Sequence, residues 1–165
     1  MRPNIRWLSV AAALISLAAM TSCAGDSDRP SYQEATKQLI ADGDKLLASR
    51  EVAASGKLMA TERADKDAES GCTPGEVQRF FRAQGDLSGP PEASMPDNAA
   101  GLMRGLLGLM GYDTVIGQRD LRDANLGVSV MHNPKSGLTF IVTVRKNQSP
   151  HIMIAGKTGC YGADH

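Results

Sequence analysis

Residues 126–157 read LGVSVMHNPKSGLTFIVTVRKNQSPHIMIAGK, and this stretch decides the fold. Three apolar, β-branched runs, Leu126 to His132, Leu138 to Lys146 and His151 to Lys157, are separated by two short polar segments. Asn133-Pro134-Lys135-Ser136-Gly137 and Asn147-Gln148-Ser149-Pro150 have the composition and length of hairpin turns. Strands joined this closely pair antiparallel, because a parallel return needs a crossover of a dozen residues or more. Ile141 lies between Phe140 and Val142, so the middle strand is expected to be buried on both faces.

Upstream of this meander, Tyr112 to Gln118 reads as one more strand. It follows a helix expected from Asp97 to Met110, which Gly111 stops in the usual C-terminal position. Ser88 to Pro96 holds Pro90, Pro91 and Pro96 and makes a proline-rich crossing into that helix. Thr73, Pro74 and Glu76 imitate a helix start. Yet Val77, Phe81, Ala83 and Leu87 keep one parity and Gly85 interrupts, so Val77 to Leu87 reads as a strand. Lys57 to Arg63 alternates, with Leu58, Ala60 and Glu62 on one side, and predicts another strand. A polar connection from Ala64 to Gly71 leads on to Cys72.

The first helix opens at Ser31, which has capping-box spacing to Glu34. Tyr32, Ala35, Leu39, Leu46 and Leu47 recur near the helical period, Gly43 weakens the middle, and the helix is expected to end near Arg50. The fold predicted is α+β: a mainly antiparallel β-sheet with two α-helices packed on one face.

The first 22 residues carry a different signal. Arg2 and Arg6 form a positive start, and no acidic residue precedes Asp26. From Trp7 to Met20 the chain is apolar or small, a run of about 14 residues where a helix crossing a bilayer needs roughly 20. Residues 1–22 therefore read as a secretory signal peptide. Met20-Thr21-Ser22-Cys23 has the lipobox pattern of an apolar residue, two small residues and a cysteine. This makes Cys23 the lipid-modified (diacylglyceryl, palmitate-type) first residue of a mature chain on the extracytoplasmic face of the cell membrane. Each buried CH₂ adds about 0.8 kcal/mol, so two or three acyl chains anchor stably where one does not. An ordinary signal peptide with an incidental cysteine is the alternative. Residues 23–30 then read as the lipidated cysteine and a polar tether whose composition predicts flexibility. Residues 31–165 form a single domain.

Three cysteines are an odd number for an exported chain. Giving Cys23 to lipid leaves Cys72 and Cys160 as an even pair in an oxidising compartment, where a disulfide is expected. Two buried thiols or a metal pair are the alternatives, although a lone pair 88 positions apart is poor zinc spacing. The whole chain has 18 basic and 18 acidic residues. Without Arg2 and Arg6 the basic count falls to 16, a net charge of −2, which does not favour nucleic acid as a partner.

Together, several features resemble the small actinobacterial envelope lipoproteins of the LppA type. They are the lipobox, the Ser31-Tyr32-Gln33-Glu34-Ala35 helix start, Cys72, the helix running into Gly111-Tyr112, and Ile152-Met153-Ile154-Ala155-Gly156 before Cys160. The resemblance implies export, a lipid anchor and an α+β domain. It supplies no catalytic residues, so only the lipidation and disulfide cysteines carry over.

Local motifs add little chemistry. Lys157-Thr158-Gly159 copies a motif of penicillin-recognising serine enzymes, but the Ser-x-x-Lys nucleophile they require is missing from the chain. Asp65, Asp67, Glu69 and Glu76 match positions 1, 3, 5 and 12 of an EF-hand loop. Ser70, however, stands where the sharp turn wants glycine, and a solvated loop is the reading. His132, His151 and His165 show neither metal spacing nor a nucleophile partner. No cofactor is expected.

The second helix holds the remaining signal. Gly101, Gly105, Gly108 and Gly111 line one side, with Leu102, Met103, Leu106, Leu107, Leu109 and Met110 around the rest. Either the glycines let the helix approach the sheet, or they face outward and leave an apolar patch beside them. In the second case Leu102, Met103, Leu106 and Met110 become the interaction surface. The function expected is a non-enzymatic binding module for an envelope protein, a lipid or a wall component. A small hydrolase or transferase with a site assembled from scattered residues is the alternative.

Overall fold

The computed structural model describes residues 29–88, 95–117 and 123–162. The signal peptide and Cys23 lie outside the described residues. Helix α1 spans Tyr32–Leu47, α2 Arg50–Ser55 and α3 Met95–Leu109; the strands are β1 Gly56–Ala68, β2 Glu76–Leu87, β3 Asp113–Ile116, β4 Leu126–His132, β5 Thr139–Arg145, β6 Ile152–Lys157 and β7 Tyr161–Gly162. The sheet runs β1-β2-β6-β5-β4-β3, with β7 paired to the start of β2, and every pairing is antiparallel. The fold is thus α+β, as the strand and helix patterns predict. The meander from β3 to β6 folds back so that β6 meets β2, and residues 67 to 77 positions apart pair at the centre of the sheet, as in Phe81 opposite Gly156.

The helices sit on one face. The alternating apolar residues Phe81, Ala83, Phe140, Val142, Val144, Ile152 and Ile154 meet Ala35, Leu39 and Leu46 of α1 and Met103 and Leu107 of α3 in one core. Close approach is made possible by glycine. A Cβ on Gly43 would come within 2.6 Å of the Phe81 ring, so the residue that weakens α1 by propensity is the one that lets α1 lie on β2. At Gly127 of β4 a Cβ would collide with the Pro96 carbonyl and touch Ala100 of α3. The notches between α3 and the sheet are therefore in the sheet.

Several expectations change. The Ser31–Glu34 capping box forms, but α1 stops at Leu47, and Ser49 caps a separate short helix by accepting from the Val52 N–H. Strand β1 continues to Ala68, with bulges between Ala60 and Glu62 and between Arg63 and Asp67. The first bulge shifts the alternation by one residue. Glu62 therefore leaves the side of Leu58 and Ala60 and pairs with Arg82, while Arg63 reaches Asp44 of α1. Because Asp65 and Asp67 are in this strand, the EF-hand count has no loop to act on. Ile141 is 37% exposed, not buried, since among the described residues the helices lie on the other sheet face. Helix α3 begins two residues earlier than expected, and β3 is shorter, with Gln118 outside the described residues. Arg29 and Pro30, assigned to the tether, belong to the domain: Arg29 donates to the Cys160 carbonyl and stacks on Tyr161, whose hydroxyl donates to the Pro30 carbonyl.

Candidate functional site

Cys72, in the loop between β1 and β2, is bonded to Cys160, in the gap between β6 and β7. The bridge fastens the end of the chain beside the point where residue 29 enters. Around it, the Tyr32 hydroxyl donates to Asp67 and Arg79 donates to the same carboxylate oxygen. Burial, followed by the Asp67 contact, pushes the Tyr32 hydroxyl up to about 12. Thr158, from the penicillin-enzyme-like tripeptide, is buried and accepts from the Arg79 N–H while its own N–H meets the Arg79 carbonyl. It extends the sheet beyond β6, which explains its place without catalysis.

Beside this region a cleft of about 480 Å³ opens between the start of α1 and the turn that joins β4 to β5. Arg29, Glu34 and Gln38 contribute from one side, and Asn133, Lys135 and Ser136 from the other. The turn is built by Asn133, whose side-chain oxygen accepts from the N–H groups of Lys135 and Ser136.

A second cleft of about 440 Å³ is mainly apolar and lies between the ends of α1 and α3, lined by Lys45, Leu46, Ala48, Leu106, Leu109 and Met110. It tests the predicted interaction surface residue by residue. Met103 does not belong to it: its side chain is fully buried in the core, because its position points at the sheet. Leu102, Leu106 and Met110 are half-buried, and Leu106 and Met110 line the cleft. Leu109 is 87% exposed. Gly105 and Gly108 are exposed, and a Cβ on either would meet nothing within 4 Å. The glycines of α3 face outward.

Two polar clusters have no counterpart in the sequence reading. Asp42, buried in α1, accepts from Tyr112 at 2.7 Å and from Gln38 at 2.9 Å. Burial, and then the carboxylate, push the Tyr112 hydroxyl well above its ordinary value. On the surface, Asp86 accepts from the Ser149 hydroxyl and the His151 N–H and contacts the His151 ring nitrogen Nδ1. The Ser149 hydroxyl and then His151 hold the Asp86 carboxyl below the usual carboxylate range. Both clusters join residues more than 60 positions apart, so no local pattern announces them. Asp86, Ser149 and His151 do not make a nucleophile–base relay, since the serine hydroxyl donates to the carboxylate and not to the histidine. His132 contacts Thr139 across the β4–β5 pair. Among the described residues no group of three His, Cys, Asp or Glu is placed to hold a metal ion, and no helix is long and apolar enough to cross a membrane.

No family model, curated protein or solved structure matches the chain.

Proposed function

We propose that the chain is an exported lipoprotein of the LppA type. In this reading it is anchored through Cys23 on the extracytoplasmic face of a cell membrane and acts by binding rather than by catalysis. One observation carries the binding reading: α3 keeps Leu109 almost wholly in solvent at the rim of the apolar cleft formed with Lys45, Leu46, Leu106 and Met110. An apolar side chain left exposed beside bare glycine backbone leaves a surface into which another apolar group can pack closely. The disulfide fits an oxidising compartment. The occupant belongs to the envelope: a neighbouring protein, a lipid or a wall component.

Photoreactive residues at positions 102, 106 and 109 in intact cells test this reading. Crosslinks from these positions are the expected result, with those from positions 102 and 106 lost in Leu109→Glu at unchanged abundance. Crosslinks confined to the uncovered sheet face, where Ile141, Val130 and Ile116 share a row, would move the contact surface there. A hydrolytic or transferase activity of the purified protein would overturn the binding reading.

A further inference from the structure

The polar cleft at the start of α1 divides its hydrogen-bonding groups by side. On the turn side, the Asn133 oxygen is committed to the Lys135 and Ser136 backbone, which leaves its amide Nδ2 as a donor. Lys135 is exposed and makes no ion pair among the described residues. The Ser136 hydroxyl is buried and has no hydrogen-bond partner, a state that costs about 1–3 kcal/mol unless another group satisfies it. On the helix side, Gln38 gives its amide N–H to Asp42 and so keeps an oxygen free. Glu34 engages Ser31 through Oε2 alone, leaving Oε1. Arg29 adds a second cation at the mouth, with one nitrogen bound to the Cys160 carbonyl.

The geometry points to a binding site for a phosphoryl group carried by a small polyol or amino alcohol. Its oxygens would be taken by Lys135, Asn133, Ser136 and Arg29, and its hydroxyl or ammonium by Glu34 and Gln38. A phosphoryl group offers three acceptor oxygens to the turn and Arg29 where a carboxylate offers two. A bare phosphate leaves the acceptors on α1 unmatched. A volume of about 480 Å³ accommodates the whole group. This chemistry belongs to membrane headgroups and to free phosphate esters alike. Position favours the headgroup, and this part rests on the lipid-anchor reading: five residues separate Cys23 from Arg29, a reach of at most about 22 Å.

The test uses the lipidated full-length protein in an uncharged detergent, titrated with sn-glycerol 3-phosphate and followed by backbone amide resonances. Saturable shifts at Lys135 and Ser136 are expected. Lys135→Gln should weaken binding roughly tenfold, the scale of one charge-assisted hydrogen bond. Ser136→Ala should weaken it several-fold without lowering the melting temperature, whereas a hydroxyl of purely structural importance would lower that temperature. Nanodiscs then separate the sources. The same shifts with phosphatidylglycerol and not with phosphatidylcholine identify a headgroup, while a response to the soluble ester alone identifies a free phosphoester. No saturable shift in either medium, or shifts that both variants leave unchanged, would overturn the site. The soluble arm needs no anchor, so its result stands whatever becomes of Cys23.

Discussion

The Tyr112 hydroxyl donates to the Asp42 carboxylate across 2.7 Å, joining the connection between α3 and β3 to helix α1. Both residues are buried, and the Tyr112 ring packs edge-on against Phe140. This bond ties α1 to the segment that connects α3 to β3.

Tyr112→Phe removes the donor and leaves the buried Asp42 carboxylate with Gln38 alone. The expected cost is about 1–3 kcal/mol, the penalty for a buried polar group stripped of one partner. Denaturant titration of the two proteins measures it; equal midpoints would show that the bond contributes nothing.

Tyr32 predicts an alkaline limit. Its hydroxyl titrates near 12 in the folded chain against an ordinary 10.0, so folding favours the neutral form. The contribution is complete below pH 10 and is lost as pH rises from there toward 12. Tyr32→Phe is expected to flatten that part of the stability profile and to lower stability near neutrality, where the bond to Asp67 is fully formed. Tyrosinate absorbance followed through the same window reads the titration directly.

The Cys72–Cys160 bridge closes a loop of 88 positions. Chain entropy values such a closure at about 4–5 kcal/mol, an upper figure. Non-reducing peptide mapping of exported protein should recover the linked pair, and Cys72→Ser with Cys160→Ser should melt well below the parent. Both thiols alkylating without reductant in the native protein would contradict the bridge.

Glycines in the two helices are expected to respond with opposite signs. Gly105→Ala enters open space and gains helix propensity, so stability should rise by about 0.5–1 kcal/mol. Gly43→Ala has the same propensity gain but drives a methyl into the Phe81 ring, and a net loss is expected. Thermal melts of the two variants decide whether outward and inward glycines are correctly distinguished.

The anchor makes the simplest prediction. Cys23→Ala should escape lipoprotein processing and take up no fatty-acid analogue. Labelling and normal membrane retention of that variant would remove the lipoprotein reading.

By itself the sequence determined the order of the two longer helices and the first six strands and the antiparallel pairing of the meander, while α2 and β7 had no signal read in it. A capping box, a period of two and a four- or five-residue turn are local constraints, satisfied within a few residues of where they are read. It also brought Cys72 and Cys160 to notice by counting. Only the tertiary structure decided which side each residue faces after a bulge. One extra residue near Thr61 sent Glu62 to Arg82 instead of the side of Leu58 and Ala60, because alternation carries no memory across an unpaired residue. The same holds for α3. Its composition announced more apolar residues than one stripe can bury, but which of them turn inward depends on the helix rotation. That rotation depends on the sheet beneath, where Gly127 of β4 leaves room for Pro96 and Ala100. Met103 is therefore core and Leu109 surface, and a helix read alone contains no reference direction from which to tell them apart.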